Sequence, residues 1–113
     1  MSPNVRRYLF DMQHAVLGIL SFVDGRTIDD FKNDLMLRSA IERQFEIIGE
    51  AMTRLRKESP ELCDKISEAP RIVGFRNVLI HGYDTLNNDI TWRIVQDKLP
   101  ILQRELQELI AAG

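Results

Sequence analysis

One cysteine, two histidines and no apolar run long enough to cross a bilayer leave this 113-residue chain few routes to chemistry. With Cys63 alone, no intrachain disulfide and no paired-cysteine zinc motif can form, which points to a reducing cytoplasm. Cys63 lies in a short segment after Pro60 with neither histidine near it in sequence, so it is read as structural rather than nucleophilic. A surplus of positive charge is also lacking. The formal net charge of -2 and pI of about 5.7 exclude the broad basic face of a general nucleic-acid-coating protein, so any such contact must be local. Arg6 and Arg7 ahead of the apolar run 15–23 imitate a leader, but Asp11, Gln13 and His14 interrupt it and no small-residue cleavage site follows. The expectation is one cytoplasmic, soluble domain spanning 1–113 with no membrane contact.

What the chain does have is helical periodicity. Val5, Leu9, Met12, Val16, Ile19 and Val23 step by four and three, predicting a first helix to about Asp24. Gly25 breaks it, and Thr27 with Asp29 and Asp30 offers an N-cap and acidic first turn for a short helical segment, with a bend near Asn33 and Asp34. Leu37, Ile41, Phe45, Ile48, Met52 and Leu55 define a second long helix ending before Pro60. Gly49 inside that helix weakens it by about 1 kcal/mol relative to alanine, so another helix should pass close to the backbone there.

Pro60 and Pro70 bracket a turn with a helical fragment, and Pro70 suits the first turn of a further helix that Gly82 would end. A last helix, capped by Asn87, Asn88 or Asp89, runs through Ile94, Leu99, Leu102, Leu106 and Leu109, with Pro100 kinking or dividing it. Trp92 and Phe75 read as core or interface anchors, and His14 as a surface or satisfied core residue rather than a metal ligand. No alternating runs long enough for a sheet, no repeats and no low-complexity linkers occur. The fold class is therefore all-α, an antiparallel bundle of four to five helices with the last kinked at a proline.

The segment 76–83, RNVLIHGY, concentrates the chemistry. Arginine carries a permanent cation in a planar fork suited to phosphate oxygens, and histidine exchanges protons near neutral pH. The pair suits phosphodiester cleavage, although from spacing alone a structural ion pair at Arg76 and a helix end at His81 are the commoner outcome. On a helix, Ile72, Phe75, Leu79 and Ile80 form the apolar face and Arg76 falls in its middle. A cation there must reach a carboxylate, snorkel to water or line a cleft awaiting an anion. Glu46 and Glu50 are the partners the pattern offers.

Asn77 and His81 share a face, with Gly74 leaving space one turn earlier, whereas Arg76 and His81 differ by about 140° on an ideal helix. A joint site then needs a deformation near Gly82, converging long side chains, or a second subunit, and a symmetric dimer answers this simply. Two-fold pairing brings two copies of His81 together, one as base for a 2'-hydroxyl and one as acid for the departing 5'-oxygen. Arg76 would stabilise charge on the phosphate, and Asn77 could orient His81 or donate to a phosphate oxygen. No metal-ligand cluster is evident, and no metal or other cofactor is called for.

Arg76, His81 and Tyr83, in the pattern Arg-(four residues)-His-x-Tyr, resemble the motif of HepT-type toxins of the HEPN superfamily. RQFEIIGEAMTRL at 43–55, IVGFRNVLIHGY at 72–83 and the closing amphipathic helix interrupted at Pro100 extend the resemblance across nearly the whole chain. It implies a HEPN-like helical bundle forming a two-fold homodimer that acts as a metal-independent endoribonuclease in a type VII toxin–antitoxin pair, cutting cellular RNA such as tRNA or mRNA. Arg76 and His81 would be catalytic in the cleft between subunits, with Asn77 supporting. The implied partner is an MntA-type minimal nucleotidyltransferase antitoxin that adds AMP units to Tyr83, placing negative charge and bulk where RNA phosphate should bind. A competing reading, kept open by the acidic balance, is a non-catalytic helical module that holds a nucleotidyltransferase and positions its substrate.

Overall fold

The computed structural model describes residues 1–81 and 88–113, with side chains through residue 78 and from residue 88 onward. Helix α1 (Pro3–Val23) begins on Ser2, whose hydroxyl accepts from the Val5 amide, and on Pro3, which has no amide hydrogen to leave unsatisfied. All six apolar positions predicted for its inner face are buried. Gly25 follows with φ of 73°, the left-handed conformation that a Cβ disfavours. Helix α2 (Ile28–Asn33) opens with a capping box: the Thr27 hydroxyl accepts from the Asp30 amide, and the Asp30 carboxylate accepts from the Thr27 amide.

The predicted bend at Asn33 and Asp34 is a junction. Asp34 ends α2 and its carboxylate caps α3 (Leu35–Glu58) by accepting from the Leu37 amide, a bond that holds its carboxyl below the ordinary carboxylate range. Leu37, Ile41, Phe45, Ile48, Met52 and Leu55 all lie in the core. The Pro60–Pro70 segment contains the short helix α4 (Pro60–Cys63) and leads into α5 (Ala69–His81), with Pro70 in its first turn.

Three near-contacts set the register of the bundle. On one side of α3, Asn4 at the start of α1 donates to Glu58 at the end of α3 at 3.5 Å, and Arg7, Tyr8 and Asp11 share a surface cleft with Ile47, Glu50, Ala51 and Arg54, so α1 runs antiparallel to α3. On the other side, Gly49 lies on Arg76, while Met52 and Arg56 share a cavity of about 210 Å³ with Ala69 and Val73, so α5 also runs antiparallel to α3. Val5 and Leu109 line one cleft at the chain termini, where Arg6 donates to the Gly113 carbonyl at 2.9 Å. α3 therefore lies between α1 and α5. The molecule is 19 Å across its thinnest extent, about two helix diameters, so each helix keeps one outward face.

After the undescribed residues 82–87 the chain resumes as α6 (Asn88–Arg93), opens into a π-helical turn at Ile94–Lys98, and continues as α7 (Leu99–Ala112) with Pro100 in its first turn. The expected division of the last helix is present, but it begins one turn ahead of the proline. Pro100 lacks the amide hydrogen that would reach back to residue 96, and its ring crowds that carbonyl, so the preceding turn widens. Asn87, one of the caps predicted for the last helix, and Gly82, predicted to end α5, lie outside the described residues. Trp92 is half-buried with its ring 5.6 Å from that of Phe31, and the Phe75 ring meets Phe45 edge-on at 4.9 Å, so both serve as anchors. His14 is exposed. No described helix is long and apolar enough to cross a membrane.

Candidate functional site

Helix α5 carries every predicted site residue that is described. Ile72 is buried and Phe75 is wedged on Phe45, which fixes the rotation of α5 about its axis and places the next residue, Arg76, on the α3 contact. Asn77 and Val78 are turned outward and exposed. Gly74 has nothing within 4 Å of where a Cβ would project, so the open space expected one turn before Asn77 is present.

The Arg76 stem lies across the backbone of α3 at Gly49, where a Cβ built on the glycine would stand 2.5 Å from Cδ and 2.6 Å from Cγ of Arg76 and closer still to its Cβ. The helix expected to approach Gly49 is thus α5, and the group that approaches is the arginine. Nε of Arg76 is buried with no hydrogen-bond partner. Oε1 of Gln13 shares that state, but an amide can be turned to exchange its oxygen and nitrogen, whereas the guanidinium Nε is always a donor. Leaving such a donor buried and unpaired weakens the fold by about 1–3 kcal/mol.

The carboxylates that the sequence pattern offered to Arg76 are engaged elsewhere. Glu46 accepts from Arg43 at 3.2 Å and Glu50 from Arg54 at 2.9 Å, each three or four residues along the same helix, where α3 geometry aligns them. Among the described residues no carboxylate pairs with Arg76 at the helix contact.

The α5 backbone stays helical through His81, so the angular offset of about 140° from Arg76 is retained to that point. Only the backbone of His81 is described, and Tyr83 and Gly82 lie outside the described residues. Cys63 is buried, and its burial pushes the thiol up from its ordinary range, as suits a structural residue. No group of three or more His, Cys, Asp or Glu side chains among the described residues is arranged to hold a metal ion. Sequence reading did not anticipate Glu68, whose carboxylate lies 3.6 Å from Arg71 and 3.4 Å from Lys98, tying the start of α5 to the π-helical turn. Nothing in the spacing of residues 68 and 98 could have announced that pair.

The family model of HepT-like ribonucleases matches residues 12–109, which include all of this geometry. The chain belongs to the HepT-like ribonuclease family. Membership places this HepT-like protein among the ribonucleases, with an all-α fold. Its relatives include Putative RNase MJ0127 of Methanocaldococcus jannaschii, 34% identical over 112 residues that span 95% of this chain and 88% of the relative. Putative RNase TTE0752 of Caldanaerobacter subterraneus is 35% identical, covering 93% of both chains. Probable ribonuclease HepT of Thermococcus cleftensis is 28% identical across 96% of this HepT-like chain and 98% of its own. Among solved structures, none matches.

Proposed function

We propose that the protein is the toxin of a toxin–antitoxin pair, a metal-independent endoribonuclease whose cleavage site is built from Arg76, His81 and Asn77 in a homodimer. The observation that carries this reading is Arg76, a cation seated at the α3–α5 contact with a buried, unpaired Nε and no carboxylate partner among the described residues. A structural ion pair would have used Glu46 or Glu50, and both are bonded to other arginines. A permanent cation with no carboxylate partner among the described residues is available to a phosphate.

The reaction is internal transesterification. One His81 takes the proton of the 2'-hydroxyl, the 2'-oxygen bonds to phosphorus, the bond from phosphorus to the 5'-oxygen breaks, and the second His81 delivers a proton to that oxygen. Arg76 balances the added negative charge on the pentacoordinate phosphate, and Asn77 orients the imidazole or donates to a phosphate oxygen. The products are a 2',3'-cyclic phosphate and a 5'-hydroxyl. Support for pairing of two copies comes from large apolar side chains left outside, including Phe10 and Leu17 on α1 and Leu35 and Met36, 69% and 81% exposed, at the start of α3.

Tyr83, two residues past His81, is the proposed acceptor for AMP units from an MntA-type nucleotidyltransferase partner, a reading that rests on the sequence pattern. Its check is the mass of the intact chain after incubation with that partner and ATP. AMP-sized gains absent from Tyr83→Phe support it, and equal gains in both forms reject it. The ribonuclease reading is tested with purified protein, cellular RNA and excess EDTA. Cleavage leaving 2',3'-cyclic phosphate ends, lowered on the order of 100-fold or more by Arg76→Ala and by His81→Ala, is the expected result. Cleavage that requires a divalent ion, leaves 5'-phosphates or survives both substitutions would refute it.

A further inference from the structure

Gly49 carries no reactive group, yet it is the surface on which Arg76 rests. We infer that Gly49 is a positioning residue for the cleavage reaction, setting the depth and direction of the Arg76 guanidinium through the close approach of α5 to α3. The inference rests on the proposed role of Arg76 and adds a residue to it.

The contact cannot be relieved cheaply. A Cβ at position 49 would collide with Cδ and Cγ of Arg76 and, closest of all, with its Cβ, an atom that moves only with the α5 backbone. Turning α5 about its axis is opposed on both sides of Arg76, by the buried Ile72 and by the Phe75 ring set edge-on against the fully buried Phe45. Receding on the α3 side is opposed by Met52 and Ile48, which are fully buried on that helix. The remaining relief is for α5 to move outward and take Arg76 with it.

In the native arrangement the missing side chain leaves a groove that the arginine stem fills, burying Nε and leaving the charge to be presented from a fixed base. A fixed guanidinium favours the transition state more than the ground state, because the added phosphate charge develops in one place. Displacing it by about an ångström should lower kcat on the order of 100-fold while KM changes little.

Two experiments on the full-length protein test this, using cellular RNA to locate a cleavage site and a fluorescent RNA oligonucleotide spanning it for kinetics. In the first, Gly49→Ala is expected to lower kcat on the order of 100-fold, to alter KM by less than about threefold, and to add less than about twofold to the loss already caused by Arg76→Ala. In the second, which does not depend on how Gly49→Ala folds alone, Arg76→Gly empties the groove and is supplied with propylguanidine. Cleavage should recover at least about tenfold with Gly49 present and should not recover in Arg76→Gly combined with Gly49→Ala, where the added methyl occupies the groove. Full activity of Gly49→Ala, multiplicative losses in the double variant, or equal rescue with alanine at 49 would overturn the role of Gly49. Normal cleavage by Arg76→Ala would instead remove the ribonuclease role of Arg76 itself.

Discussion

Two titratable side chains away from the motif are governed by burial, and each gives a prediction at the scale of a single residue. Desolvation pushes the Cys63 thiol up, with Asp64 acting in the same sense and Arg56 against it. The thiol therefore stays protonated near neutral pH and is shielded. Cys63→Ala is expected to cleave RNA at the wild-type rate, and iodoacetamide at pH 7.5 should label the native protein far more slowly than the urea-unfolded one; rapid native labelling would contradict this. Glu42, half-buried on α3, has its carboxyl raised above the ordinary carboxylate range by desolvation, with Arg38 opposing and Glu46 adding to the rise. Because the folded form holds this proton more tightly than the unfolded form, stability is greatest below the unfolded pKa and declines as pH rises through the two values. Glu42→Gln should raise Tm at pH 7 and leave it nearly unchanged at pH 3.5. An equal change at both pH values would show that the effect is packing rather than ionisation.

At the scale of elements, caps and apolar spacing were legible because they are local. The run Thr27, Asp29, Asp30 announced α2, and both bonds of its capping box are present. Thr27→Ala should lower the free energy of unfolding by about 1 kcal/mol, read as a shift in the urea midpoint with an unchanged slope; a shift within error would mean the cap is frayed in solution. The two long helices were fixed equally well by their four-and-three periodicity, since every residue that pattern chose for α1 and α3 is buried. The π-helical turn at Ile94–Lys98 was less legible: Pro100 declares a break, but how far upstream the hydrogen-bond ladder opens depends on what the buried Val95 and Leu99 pack against. Gly49 lay between these cases. Its place in a helix predicted a close neighbour, while the identity of that neighbour, Arg76, is a matter of tertiary register that no local pattern encodes.

At the scale of the whole molecule, the sequence placed Arg76 on an apolar face and offered two carboxylates, but both pair with arginines one turn away on α3 itself. The α5 helix is continuous to His81, so within one chain Arg76 and His81 leave it about 140° apart. A site that joins them across two chains makes a quantitative prediction about mixed dimers. Suppose wild-type protein is held constant and allowed to exchange subunits with His81→Ala in ninefold excess. Wild-type dimers then fall to about one-hundredth of a tenfold larger pool, so about a tenth of the original number remain. If cleavage needs both imidazoles, one as base and one as acid, a mixed dimer is inactive and the rate should drop to about a tenth. If each chain works alone, every wild-type subunit keeps its activity and the rate should not change. The same mixture made with a variant that cannot pair, such as Leu35→Glu with Met36→Glu if those exposed residues form the contact, should lose the inhibition along with dimer mass in sedimentation. Inhibition that persists in that monomeric variant would point to competition for RNA rather than to a shared site.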